Sequence, residues 1–251
     1  SNLADGINGN IKVLGIKYSI FYTDNTQANI AFVIAYVLKG SPAEKAGLKR
    51  GDIILKVDDK TITPSNYASI LQNESLKLGL GSYAAGVFAS TGVSASLTKV
   101  ELQTNPILKD TIIKWGGKKV GYIAYIQFLS SFDDSLRNVF GRFKSGGVNE
   151  LVIDLRYNGG GSVRNCVELA SMITGQLTGE VFSNELWNSK LDAYFLEKYG
   201  SDSQKNRFVN VLSDGEPINS LELNRVFILT TSESASASEL LINGLAPLIE
   251  V

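Results

Sequence analysis

Ser234, Ser236 and Ser238 alternate with alanine in "SESASASE" (232–239), a run that ends on Glu239. A serine hydroxyl becomes a nucleophile only beside a base, and the 251-residue chain has no histidine, which excludes Ser-His-Asp and Cys-His catalysis and His-ligated metals within it. The same spacing has a purely structural meaning. Ser236 and Glu239 stand in the S-x-x-E relation of a capping box directly before the apolar run "LLINGLAPLI". Such a cap stabilises a helix by about 1 kcal/mol and implies no chemistry. A second constellation, Gly159-Gly160-Gly161 in "RYNGGGS", removes side chains from a turn so that backbone N–H groups can approach a ligand; its plain reading is a tight strand-to-helix turn. Cys166, the one cysteine, cannot pair internally and lies in the apolar stretch "NCVELASMI", where a packed thiol is expected.

The elements that must hold these groups have an α/β rhythm in the second half. "KVGYIAYIQF" (119–128) reads as a strand, 130–148 as an amphipathic helix with Ser130 or Ser131 at its start, and "NELVIDL" (149–155) as a nearly all-apolar strand. "VRNCVELASMIT" (163–174) reads as a helix after the glycine turn, and "NRVFILTT" (224–231) as a buried strand before the serines. Alternating strands and helices imply a mainly parallel sheet, and sites in such sheets gather beyond the C-terminal strand ends. Both constellations follow a strand, so both are delivered to that edge. Residues 183–223 read as an aromatic-bearing helical excursion.

The first half is β-rich. Residues 11–37 alternate strand-like segments around the loop "DNTQAN", and "KGSPAEKAGLKRGDIILKVDDKTIT" (39–63) encodes a short helix, a strand and a tight turn. The glycine-rich 78–94 lacks a GxxxxGK[ST] continuation and is expected to form turns joining strands, not a nucleotide loop. The string G-S-P-A-x-x-A-G-L-x-x-G-D-x-I-L-x-V-D closely resembles the PDZ modules of bacterial proteases. That resemblance implies capture of a peptide C-terminus by strand addition near "LGIKYSI", with Leu14, Gly15, Ile16, Lys17 and Tyr18 as the binding stretch. A composition shift near residue 105 places the boundary between a domain at 1–104 (core about 12–100) and one at 105–251.

"VIDLRYNGGGS" with "SASASE", downstream of a PDZ module, resembles the S41 family of C-terminal processing peptidases. The resemblance implies a β-rich PDZ-like domain followed by an α/β, mainly parallel-sheet S41 core. It also implies a serine endopeptidase with a lysine base that cleaves near protein C-termini, in keeping with the missing histidine. Carried over, it makes Ser236 the nucleophile, and the N–H groups of Ala237 and of Gly159 or Gly160 the oxyanion hole. No metal or cofactor is implied. The family's lysine lies beyond the nucleophile in a Gly-Lys turn, whereas the last lysine here is Lys205. The expectation is therefore that the core is incomplete at its C-terminus, with the base beyond Val251, and that these residues alone are inactive. A working lysine must be neutral, so burial has to hold its ammonium well below ~10.4.

Charge narrows the partners. Lys and Arg (24) nearly balance Asp and Glu (25), so no global field points to nucleic acid or an anionic membrane, and no apolar run is long enough for a span. The partners implied are proteins or peptides with exposed C-termini, in an exported, periplasmic or lipoprotein-anchored setting, with oligomerisation left open. The alternative is a catalytically incompetent peptide-binding protein, a PDZ module on a degenerate protease scaffold with Ser236 only a cap.

Overall fold

In the computed structural model the described residues are 8–251, with side chains described from residue 11 onward. They divide into two compact units, one ending at Thr104 and one beginning at Asn105. No helix among the described residues is long and apolar enough to cross a membrane.

The first unit comprises β1 (Asn8–Val13), β2 (Ile16–Tyr22), β3 (Ile30–Val37), α1 (Pro42–Lys45), β4 (Ile53–Val57), β5 (Lys60–Thr61), β6 (Ser75–Ala84), β7 (Val87–Thr98) and β8 (Val100–Gln103). Its antiparallel sheet runs β2-β3-β4-β6-β7 with β5 on β4, while β1 pairs with β8. β3 is buried along nearly its whole length, and Phe32 and Ile34 join Ile54, Ile62 and Leu78 in a core of its own. α1 forms as the sequence implies: the Ser41 hydroxyl accepts from the Glu44 N–H, Pro42 occupies the first turn, and Gly47 at φ +78° follows its end. Asp58 and Asp59, at φ +50° and +61°, make the two-residue turn between β4 and β5.

Residues 78–94 differ from expectation. They are strand, not turns: β6 and β7 form one long hairpin reversing at Ala85-Gly86, both at positive φ. The strand glycines permit close approach, since a Cβ on Gly81 would lie 2.5 Å from the Leu55 side chain.

The second unit comprises β9 (Ile107–Trp115), β10 (Lys118–Tyr125), α2 (Asp133–Gly146, after a 3₁₀ turn at Ser130–Phe132), β11 (Glu150–Asp154), α3 (Val163–Thr174), β12 (Val181–Asn184), α4 (Ser189–Tyr199), β13 (Lys205–Arg207), β14 (Phe227–Leu229) and α5 (Ala237–Leu245). The central sheet is ordered β14-β11-β10-β9. β10–β11 and β11–β14 are parallel, and β9 adds an antiparallel edge. The sheet is therefore mixed, with its parallel part where the sequence calls for it. Phe140 and Phe143 of α2, Cys166, Leu169 and Met172 of α3 and Leu241 and Leu245 of α5 pack with Ile123, Leu151 and Ile153 in one core. α3 is buried from Asn165 to Thr174 and is capped by Ser162.

Candidate active site

β11 and β14 lie side by side in parallel register, with Asp154 opposite Leu229, and the Leu155 N–H extends the ladder to the Leu229 carbonyl at 2.9 Å. Both chains therefore leave the sheet together. β11 continues into the glycine turn and α3, and β14 into the serine turn and α5. Because both turns open at the carboxyl ends of parallel strands, they meet where an open α/β sheet places its sites.

The meeting is tight. The Ala235 N–H and the Ser238 hydroxyl both donate to the Asn158 carbonyl, at 3.2 and 2.9 Å, and the Ser234 hydroxyl donates to the Leu155 carbonyl at 2.8 Å. Gly160, at φ +105°, lies against the serine turn: a Cβ there would sit 2.7 Å from Ser236 Cβ and 2.9 Å from the Ala237 nitrogen. Gly161 is closed from the other side, where its Cβ would stand 2.1 Å from the Phe128 carbonyl oxygen. Neither position tolerates a side chain.

These contacts separate three serines that look equivalent in sequence. Ser234 and Ser238 spend their hydroxyls on carbonyls of the facing turn, and Ser238 is fully buried. Ser236 is exposed, and its backbone sits at φ +56°, ψ −114°, outside the regions comfortable for a residue with a Cβ. A strained strand-to-helix elbow of this kind is a recurring way to present a nucleophilic hydroxyl above a sheet. The capping box is present as well, but asymmetrically. The Glu239 carboxylate accepts from the Ser236 backbone N–H at 2.8 Å, whereas the reciprocal arm to the Ser236 hydroxyl has the box arrangement without a regular hydrogen bond. The cap is thus carried mainly by Glu239.

Ala237 opens α5, so its N–H points out of the helix start, where the dipole favours negative charge. It has no hydrogen-bond acceptor among the described residues. The two candidate glycines differ. The Gly160 N–H is donated to Asn158 Oδ1 at 2.9 Å, whereas Gly159 is exposed and its N–H has no acceptor among the described residues.

Charge around the turns is braced. Asp154 takes Arg156 in a two-pronged ion pair, Nε to Oδ1 at 2.9 Å and Nη2 to Oδ2 at 2.6 Å, and accepts the Tyr122 hydroxyl at 2.7 Å. Burial opposes its charge, but the Arg156 and Tyr122 bonds more than offset that and hold the carboxyl below its ordinary value. Cys166 is fully buried and donates to the Ala237 carbonyl at 3.3 Å; burial pushes its thiol up to about 12, so it packs beneath the site as an un-ionised group. Among the described residues no group of three or more His, Cys, Asp or Glu side chains is placed to hold a metal.

In the first unit, Leu14 is buried and its carbonyl accepts from Ala43, while Gly15 at φ +82° accepts from Leu38. A Cβ on Gly15 would lie 2.1 Å from Ser41 Cβ, so the loop docks closely on the start of α1. Ile16, Lys17 and Tyr18 begin β2, an edge strand of its sheet, and Tyr18 stacks on Phe32 with ring centroids 4.1 Å apart. An edge strand with a glycine loop at its head is the geometry that strand addition needs.

Two residues to which the sequence reading gave no role hold the turns in place. Asn158 is fully buried between the two turns, and Gln127 donates from Nε2 to the Gly160 carbonyl at 2.6 Å. Asn158 is the amide of the D-L-R-x-N-x-G-G pattern that carries the family resemblance; Gln127, in an apolar strand tail, gave no signal.

Comparison with known proteins accords with this architecture. The model of peptidase family S41 matches residues 119–246, and that of a PDZ domain matches 33–80. The chain is 26% identical over 247 residues to carboxyl-terminal-processing peptidase 2, chloroplastic, of Arabidopsis thaliana, covering 93% of this chain and 42% of that one. It is 25% identical over 251 residues to a carboxyl-terminal-processing protease of Picosynechococcus, covering 94% and 51%. It thus spans about half the length of these relatives. A crystal structure described as an S41 protease from Bacteroides fragilis superposes with a TM-score of 0.78 at 29% identity, over 96% of this chain and 62% of that one. With the S41 match covering just over half its residues and a PDZ domain ahead of it, the chain belongs to peptidase family S41.

Proposed function

We propose that this chain carries the nucleophile and the peptide-capturing module of a serine endopeptidase that processes proteins near their C-termini. The observation that carries the reading is Ser236: an exposed hydroxyl on a positive-φ elbow, one residue before an unbonded helix-start N–H and in direct contact with a glycine turn. Ser236 Oγ attacks the scissile carbonyl. The oxyanion that forms is met by the Ala237 N–H and a glycine N–H of the facing turn, each donor contributing roughly 10²–10³ in turnover. The hydroxyl's proton goes to a neutral lysine, which then returns it to the leaving amine. No lysine among the described residues hydrogen-bonds Ser236, so the reading takes that base from elsewhere in the full-length protein. Leu14 to Tyr18 would receive a substrate C-terminus along the β2 edge, and an exported, cell-envelope setting belongs to the same reading.

The Glu239 cap favours a second reading, in which the turn is only structural and the protein binds peptides without cleaving them. Hydrolysis of peptides with apolar C-termini by the full-length protein separates the two. The enzyme reading expects turnover that Ser236→Ala removes while peptide binding persists; peptide binding with no Ser236-dependent turnover would establish the second.

A further inference from the structure

Asn158 stands between the glycine turn and the serine turn. Asn158 is fully buried, and every polar group it has is used. Its N–H donates to the Leu155 carbonyl at 2.9 Å, its Nδ2 to the Tyr125 carbonyl at 2.9 Å, and its Oδ1 accepts the Gly160 N–H at 2.9 Å. Its carbonyl accepts both the Ala235 N–H and the Ser238 hydroxyl. One side chain and its own peptide group therefore join the end of β10, the glycine turn and the first turn of α5. Such a fully satisfied buried network is rigid, and cutting any member leaves a desolvated partner.

The bond to Gly160 also sorts the donors. An N–H already given to Asn158 Oδ1 is turned toward the protein interior, while the N–H one residue earlier is left without an acceptor among the described residues. The turn that carries it is held against Ser236 and Ala237 by Gly160, whose missing Cβ is what lets the two backbones meet. Oxyanion donors stabilise a transition state only when fixed in advance, and displacement of about 1 Å can cost 10²-fold.

We infer that Asn158 is the positioning residue of the oxyanion site: it locks the glycine turn to the serine turn, and by occupying the Gly160 N–H it leaves Gly159 to supply the second donor alongside that of Ala237. The inference rests on the proposed peptidase function. Only an amide of this length serves both roles, since aspartate has no donor for the Tyr125 carbonyl and leucine has no acceptor for Gly160.

The test uses the full-length protein and a peptide substrate, with kcat and KM measured separately for Asn158→Ala at a temperature where folding is verified by circular dichroism. The expected result is a 10²–10³-fold fall in kcat with KM within about threefold, matched by a similar loss of affinity for a peptide aldehyde whose hemiacetal oxygen needs the same donors. A folded variant that keeps kcat within threefold, or that loses only in KM, overturns the inference. Should Asn158→Ala not fold, Ser238→Ala decides, because it cuts one tie to the Asn158 carbonyl and leaves the amide in place. Its kcat should fall about three- to tenfold at unchanged KM, and kcat within twofold overturns the inference. Absence of Ser236-dependent hydrolysis by the unmodified protein overturns the functional reading and this inference with it, whereas retained turnover in Asn158→Ala overturns the inference alone.

Discussion

At the scale of single residues the site turns on backbone that side chains do not favour. Ser236 holds φ +56° with a Cβ in place, a conformation costing on the order of 1–3 kcal/mol that the surrounding contacts must offset. Ser236→Gly relieves the strain and Ser236→Ala does not, while the Glu239 bond to the backbone N–H is available in both. Urea denaturation should therefore find the glycine variant more stable than the alanine variant by about 1 kcal/mol; equal stability would mean that the elbow is unstrained. Gly160→Ala is the converse. Its Cβ would stand 2.7 Å from Ser236 Cβ, so the variant should lose at least tenfold in turnover or unfold at markedly lower urea. The family motif points to Ser236, while the spacing around it equally describes a cap. The choice among the three serines lay in hydroxyl partners some 80 residues away in sequence, Leu155 and Asn158, which no local pattern encodes.

At the scale of elements, legibility followed local signals. α3 spans the residues its pattern marked, with Ser162 capping it and Gly175 ending it. The helix expected over 130–148 instead starts with a 3₁₀ turn and runs Asp133–Gly146, and of the strand expected over 224–231 only Phe227–Leu229 joins the central sheet, with Arg225 bridging to Glu250. The helix ends at a local signal, Gly147 in the left-handed region at φ +72°, two residues inside the expected span. The α2–α3 contact holds a feature that composition hides. Asp133 and Glu168 are buried, their Oδ2 and Oε2 atoms find no donor, and burial favours the protonated form of each. Asn165 and Arg164 bond the outer oxygens, Ser213 adds an N–H, and Asp214 adds further negative charge. Burial first, and Asp133 second, push Glu168 up to about 7. In the unfolded chain the same group titrates at about 4.3. The folded state therefore holds the proton more tightly, and its stabilising effect is full below the unfolded value and lost as pH rises to about 7. Denaturation midpoints should fall between pH 4.5 and 7, and Glu168→Gln should flatten that slope. An unchanged slope in the variant would show that the pair carries no proton in this range.

At the scale of the whole molecule, there are two units with separate cores, and the proposed function gives recognition to the first and chemistry to the second. Residues 8–104 should fold alone and bind a peptide with a free apolar C-terminus, with amidation of that terminus lowering affinity at least tenfold in calorimetry; equal binding of the amide would mean that the Leu14–Tyr18 stretch does not read a C-terminal carboxylate. The second unit, whose parallel strands bring both turns to one edge, carries the central claim that Ser236 is a nucleophile. The most direct measurement of that claim is covalent: the full-length protein is incubated with a fluorophosphonate, which phosphonylates an activated serine Oγ with loss of fluoride, and the modified residue is identified by mass spectrometry, alongside peptide hydrolysis. The account predicts a single adduct on Ser236 and hydrolysis that Ser236→Ala abolishes. Hydrolysis that persists in Ser236→Ala, or an adduct on Ser234, Ser238 or another residue, would contradict it.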